Sequence, residues 1–517
     1  MHHQLFARAA LLNRTAEERL SYSLLYLYKA CMSIMAETSN KTLSIDNMNP
    51  NIKVMQYAVR GPLVIRATEI EKELEQGVKK PFKSVIKANI GDAHAMLQHP
   101  ITFIRQVLAT AAYPTLMTSD LVPEDVKARV NRLLKSCGGC DVGSYSNSVG
   151  VEIIRHDVAE YIRKRDGGIP SITDNIILSG GASEAIRSSM KLFNSKVDGK
   201  PPGVMIPIPQ YPLYSATIAE YGMYQIGYCL DEDNNWALDI SVLKRALEES
   251  RAHCCPRLLC VINPGNPTGQ VLTLQNIQDI IKFANDEHLF LFADEVYQDN
   301  IYDPNSKFFS FKKVMTEMGP PYSNLELISF HSSSKGYMGE CGLRGGYAEL
   351  VNVDPDVVTQ FKKSISAKLC STVLGQIAMD CVVNPPKPGE PSYDLFAKEK
   401  AFVLKTLGQK AKMITDAFNS IDGIKCNAVQ GAMYAFPRIF LPPKAIEKAK
   451  ERGEAPDFYY AWNLLENTGV CVVPGSGFCQ KEGTFHFRTT ILPPPDIFED
   501  MITRFKAFHT KFMADHS

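Results

Sequence analysis

The chain runs to 517 residues, 45% apolar and 22% charged, an ordinary globular composition at a length beyond any single small module. Its 56 lysines and arginines balance 56 aspartates and glutamates, so it lacks the basic excess expected of a nucleic-acid binder. That balance also excludes a disordered, solvating chain, and a small-molecule enzyme fits best.

In chain order, residues 1–45 read as a leader or disordered arm. Arg8, Arg14 and Arg19 among leucines and alanines resemble a transit peptide, whereas Glu17 and Glu18 break its acid-poor rule. Met32, Met35 and Met48 leave the start open, so cytosol and mitochondrial matrix are both expected compartments. Leu20 to Ala36 is the most apolar stretch, but Lys29 interrupts it and it falls short of the roughly 18 residues of a membrane span. No membrane partner is expected. The 13 cysteines are odd in number and irregularly spaced, which reads as reduced thiols. Cys137-Gly-Gly-Cys140 has no second half-site, so it reads as a loop pairing, and no metal is expected.

From about Asn175, short apolar runs alternate with amphipathic helices. Strands are predicted at Asn175–Leu178, Val204–Ile206, Leu258–Ile262, Leu289–Ala293 and Leu325–Phe330. A helix is predicted over Thr273–Glu287, with Thr273 as N-cap and Leu274, Ile277, Ile280, Ile281 and Ala284 on its apolar face. This alternation predicts an α/β sheet with helices on both faces. The proline-dense Asn384–Pro391 reads as a domain edge. Beyond it, a long helix from Leu395 to about Phe418, a strand pair around Gly431–Phe436, a lysine-rich loop and a helix over Asp496–Phe512 predict a smaller α+β domain.

Four features stand at the carboxyl ends of the predicted strands, where open α/β sheets place ligands. Ser179-Gly-Gly-Ala-Ser183 precedes a helix and can offer backbone N–H groups to a phosphate, or serve as a plain tight turn. Asn263-Pro-Gly-Asn-Pro-Thr-Gly269 holds the Asn266 amide in a stiff loop, though such runs are also ordinary turns. Asp294, ending a very apolar strand and followed by Tyr297, is either a poorly solvated carboxylate in need of a cation or a helix cap. Ser332-Ser-Ser-Lys335, with Arg344 nine residues on, sets a lysine behind a buried strand, where desolvation is expected to lower its pKa and make it a Schiff-base nucleophile. A lone lysine in a serine loop is more often a solvated surface residue. Jointly, the four meet the needs of pyridoxal phosphate: hydroxyls and arginine for the phosphate, lysine for the aldehyde, a carboxylate for the ring nitrogen, and Asn with Tyr for the ring oxygen. Ser332-x-x-Lys335 with Tyr145-Ser-Asn147 also imitates the serine acylases, but their Lys-Thr/Ser-Gly element and an export signal are missing.

With these residues assembled, the chain resembles the fold-type I pyridoxal-phosphate aminotransferases, and within them the alanine-using branch, from about Asn49 onward. The stretches that carry the likeness are Asn89–Ala95, Pro209–Tyr214, Asn263–Gly269, Gly431–Pro437, Val473–Gly477 and His486-Phe-Arg488. The resemblance implies a large cofactor domain with a mostly parallel sheet over residues 116–385 and a small domain over 386–517. Residues 46–115 would form an arm and part of the small domain.

By resemblance, Lys335 is the Schiff-base lysine and proton shuttle, Asp294 pairs with the ring nitrogen, and Asn266 and Tyr297 bond the ring oxygen. Tyr211 stacks on the ring, while Gly181, Ala182, Ser183, Ser332, Ser334 and Arg344 hold the phosphate. Tyr145 reaches the neighbouring subunit's phosphate, which implies a homodimer with shared sites. Arg488 clamps the substrate carboxylate beside Asn266, and Gly91, on an N-terminal strand, leaves room for it. Cys479 stands where the family has glycine and Thr489 where it favours methionine. The implied reaction is ping-pong transamination between L-alanine and 2-oxoglutarate. Kynurenine- or glutamate-glyoxylate-type aminotransferases and pyridoxal-phosphate lyases share the same lysine and arginine.

Overall fold

The structure is a computed structural model and describes residues 41–57 and 61–517. The leader arginines therefore lie outside the described residues. The chain divides into two compact units, Met1–Val54 and Met55–Ser517. In the first, a turn at Ser44–Met48 leads to a five-residue helix, Pro50–Val54.

The second unit is built on a seven-stranded sheet. Its strands are β1 Ile176–Ser179, β2 Pro202–Ile208, β3 Tyr224–Cys229, β4 Cys255–Ile262, β5 Phe290–Asp294, β6 Leu327–Ser332 and β7 Gly346–Val351, in the spatial order β1-β7-β6-β5-β4-β2-β3. Neighbours from β6 through β3 run parallel, and β7 is antiparallel to both β1 and β6. The mostly parallel α/β sheet expected above is present. Every residue of β1, β2, β5 and β6 is buried, which is why these strands read as unbroken apolar runs.

Two strands went unread. β3 lies at the sheet edge, where buried and exposed residues alternate. β7 carries Glu349 at its centre, buried with the ammonium of Lys312 against it. The helix Leu274–Asp286 is closed by a capping box, in which Thr273 accepts from the Asn276 backbone and the Asn276 side chain reaches back. Ile277, Ile280, Ile281 and Ala284 are buried as expected, but Leu274, in the first turn, faces solvent.

Beyond the sheet, the helix Tyr393–Asn419 leads to short strands β8 Ile424–Lys425, β9 Tyr434–Ala435, β10 Arg438–Ile439, β11 Val473–Pro474 and β12 Phe487–Thr490. β12 pairs antiparallel with both β11 and β9, and β10 with β8. The expected lysine-rich loop is instead a helix, Pro443–Glu451, because Ala445 and Ala449 fall one turn apart on a buried face and the lysines point outward. A helix over Pro495–Asp515 follows. Backbone bonds tie Ile86 to residues 469 and 471, and Ala88 to Thr490. Among the described residues, no helix is long and apolar enough to cross a membrane.

Candidate active site

The carboxyl ends of β1, β4, β5 and β6 open into a cavity of about 480 Å³. Of the residues expected at a site, Gly91, Ala182, Ser183, Tyr211, Asn266, Asp294, Tyr297, Ser332, Ser334, Lys335, Arg344 and Arg488 all line it. Gly181 stands just behind, at φ +88°, where an added Cβ would sit 2.6 Å from Nη2 of Arg344. Tyr145 is elsewhere, 76% exposed on the surface.

Asp294 is 3% exposed. The Tyr214 hydroxyl donates to its Oδ2 at 3.1 Å, while Oδ1 is buried with no partner. The cationic partner expected for it is absent among the described residues. Burial raises its pKa to about 6, against the opposing pull of Tyr214 and Lys335. The next residue, Glu295, points to the other face of the sheet, because side chains alternate along a strand.

Lys335 Nζ donates to the Gly91 carbonyl at 2.9 Å and lies 5.9 Å from the centre of the Tyr297 ring. Its pKa was expected to fall. Burial alone would lower it, but the Tyr434 phenol and the Cys341 thiol outweigh burial and the amine is raised. Tyr434 moves the opposite way: burial opposes its ionisation, yet Lys335 and Arg488 lower its pKa.

Arg488 is 1% exposed. Its Nη1 donates to Asn266 Oδ1 at 3.1 Å and its Nη2 to the Asn89 carbonyl at 2.7 Å, while Nε has no partner. The guanidinium lies between the rings of Tyr434 and Phe478, 4.2 and 4.9 Å from their centres. Among the described residues, no carboxylate pairs with it. An uncompensated cation this deep is costly unless an anion arrives.

At the other end of the cavity, Ala182 and Ser183 form the first turn of the helix Ala182–Met190. Arg344 donates to the carbonyls of Gly180 and Cys341, and the Ser332 hydroxyl lies 3.0 Å from both the Gly345 carbonyl, which accepts from it, and the Ser334 hydroxyl. Hydroxyls, a helix N-terminus and a guanidinium thus converge as they would around a dianion.

Gly91 lies in a loop, not on the expected strand. A Cβ there would collide with the Tyr434 hydroxyl, so the glycine makes room for that phenol. Three phenols at the site were not singled out from the sequence. Tyr434 has its hydroxyl 3.4 Å from that of Tyr297, Tyr57 has its hydroxyl 3.2 Å from that of Tyr211, and Tyr214 bonds Asp294. Tyr214 closes the quoted stretch Pro209–Tyr214, and Tyr434 lies inside Gly431–Pro437, so their place in those motifs was the available signal. Cys479 sits at φ +57°, the left-handed conformation that accounts for glycine being expected there.

Residues 106–498 match the family model described as aminotransferase class I and II. The chain is 59% identical over 481 residues to "Alanine aminotransferase 2" of Xenopus laevis, covering 93% of this chain and 89% of that one. It is 56% identical over 478 residues to "Alanine aminotransferase 1" of Homo sapiens, covering 92% and 96% respectively. Among solved structures, an alanine aminotransferase from Pyrococcus furiosus superposes with a TM-score of 0.70 over 90% of this chain and 100% of that one, at 24% identity. At that identity the likeness shows the fold.

Proposed function

The chain belongs to the class I and II aminotransferases, and from that premise we propose that it moves the amino group of L-alanine to 2-oxoglutarate, giving pyruvate and L-glutamate, with pyridoxal phosphate as cofactor. The near-full-length identity to alanine aminotransferases carries the choice of alanine. The cavity fits the cofactor: Asp294 Oδ1 is a buried acceptor awaiting a donor, Lys335 is within it, and a dianion cradle closes one end.

Pyridoxal phosphate, when bound, supplies the carbonyl carbon that takes the amino group and a ring that stores the electron pair left at the substrate Cα. The rest falls to the chain. Arg488 would receive the α-carboxylate in a two-pronged bond, its fork already aimed by Asn266 and the Asn89 carbonyl. Lys335 Nζ would carry the proton between the two carbons that flank the transferred nitrogen, starting from its tether on the Gly91 carbonyl. Asp294 would hold a proton on the ring nitrogen, with Tyr214 steadying its other oxygen. Asn266 and Tyr297 would bond the ring oxygen, Tyr211 would cover the ring face, and Gly181 to Ser183, Ser332, Ser334 and Arg344 would hold the phosphate.

We read residues 386–517, joined by the stretch around Ile86–Asn89, as the smaller domain that brings Arg488 to the cavity, a division supported by the backbone bonds of Ile86 and Ala88. Members of the family are typically dimers. In a homodimer with shared sites, exposed Tyr145 would serve the neighbouring cofactor. For compartment we hold to cytosol or mitochondrial matrix, on the mixed signals of the leader.

The test is an absorbance spectrum of the cofactor-loaded protein. L-alanine should bleach the visible band and 2-oxoglutarate restore it. A band indifferent to L-alanine but responsive to another amino acid would replace the donor, and a band that persists while an amino acid with a β-leaving group is turned over to a keto acid and ammonia would indicate a lyase.

A further inference from the structure

A second cavity, of about 500 Å³, lies between residues 96–101, the helix Tyr393–Asn419 and residues 492–495. Its wall is largely apolar, with Met96, Ile101, Val403, Leu407 and Leu492 among the contributors. Leu97 and Phe402, also on the wall, are 68% and 67% exposed, so large apolar side chains are left open to water around it.

Two lysines stand on this wall, Lys398, which is exposed, and Lys410, which is buried. Lys410 is only 9% exposed, and its Nζ donates to the Leu492 carbonyl at 2.8 Å. An ammonium has three donor hydrogens, so that carbonyl leaves donor capacity over. Among the described residues no carboxylate forms an ion pair with Lys410, and burial lowers its pKa. The acidic residue on the wall, Glu399, is committed to the backbone N–H and hydroxyl of Thr102. A buried ammonium lacking a counter-ion, set in an apolar cavity, is complementary to a carboxylate that carries an alkyl chain.

We propose that this cavity binds a free medium-chain fatty acid, its carboxylate on Lys410 Nζ and its tail along the apolar wall. Calorimetric titration of decanoate into the pyridoxal-phosphate-loaded enzyme should give one saturable site per chain, unaffected by saturating 2-oxoglutarate. Octanoate, two methylenes shorter, should bind roughly tenfold more weakly. Decanol, which lacks the charge, should also bind more weakly, and Lys410→Met should erase that preference. Phe402→Asp, a surface change, should weaken decanoate about tenfold while leaving kcat/KM for L-alanine unchanged. Absence of saturable binding overturns the proposal. So does competition by 2-oxoglutarate, which would place the fatty acid on Arg488, or an undiminished decanoate preference in Lys410→Met. Should that variant fail to fold, unchanged decanoate affinity in Phe402→Asp overturns it instead.

Discussion

The two faces of the central sheet carry the same kinds of buried charge and treat them differently. On the cavity side stand Asp294, Arg488 and Lys335; across the sheet lie Glu295, Arg165 and Lys312. Glu295, 1% exposed, accepts from the Ser329 hydroxyl at 2.6 Å and the Phe311 backbone at 2.9 Å. Arg165 makes two bonds of 2.8 Å to Asp166, and Lys312 pairs with Glu349. The cavity-side three have one idle carboxylate oxygen, a guanidinium without an anion and an ammonium on a carbonyl. Buried charges whose partners belong to the chain hold the fold together, and those whose partners are missing mark where a ligand completes the set. Exceptions stand across the sheet as well: Glu349 Oε2, the Tyr347 hydroxyl and both ring nitrogens of His331 lack partners, and burial together with Arg165 lowers the His331 pKa to about 3, so it stays neutral.

Matched substitutions on the two faces should break this contrast if it is wrong. The largest effect is expected at the lysines. Lys335→Ala should cost roughly 10⁴-fold in turnover and leave no cofactor fixed to the chain after borohydride reduction. Lys312→Met should instead lower the unfolding midpoint with turnover nearly intact. A chain of Lys335→Ala that retains reduced cofactor on dialysis would end the assignment.

The adjacent carboxylates come next. Asp294→Asn should slow turnover roughly 10³-fold. Its effect on the cofactor-free protein should have the opposite sign. The folded pKa near 6 lies above the unfolded value of 3.8, so the native state binds the extra proton between those limits and stability falls as pH rises through them. At pH 7 the cofactor-free Asp294→Asn protein should therefore be more stable than its parent, by about 2–3 kcal/mol. Burial raises Glu295 as well, to about 7, so its contribution to stability follows pH in the same direction; Glu295→Gln should differ in leaving turnover nearly unchanged. Turnover measured beside denaturant titrations at pH 4 and pH 7 would separate the two, and an equal loss of turnover would erase the distinction between the faces.

Arg488→Lys keeps the charge but loses the fork. It should lower kcat/KM for L-alanine by roughly 30-fold, about 2 kcal/mol, with cofactor affinity unchanged. Steady-state kinetics beside a cofactor titration checks this.

The smallest effect is expected from Tyr434→Phe, about a fivefold loss in kcat/KM. Without the phenol, Lys335 loses a group that holds its pKa up, so its amine should shed its proton at lower pH. The pH midpoint for cofactor uptake by the cofactor-free protein should move down accordingly. An unmoved midpoint would show that Tyr434 packs on Arg488 without acting on the lysine.

Much of this was legible in the chain itself. Continuous apolar runs suit strands buried on both faces, so β1, β2, β4, β5 and β6 could be placed to within a few residues. Their carboxyl ends then located Lys335, Asp294, Asn266 and the small-residue turn before Ala182, and Thr273 announced its helix because capping is a local interaction. What lay beyond local reach required the tertiary structure. An edge strand that alternates and a buried strand centred on Glu349 resemble other things until their neighbours are known. Which of Asp294 and Glu295 goes unsatisfied depends on residues far along the chain, among them Tyr214, Ser329 and Phe311. The protonation of Lys335 was misjudged for the same reason. Desolvation can be guessed from an apolar strand, but the opposing field comes from Tyr434, 99 residues later, and only folding sets that phenol beside the amine.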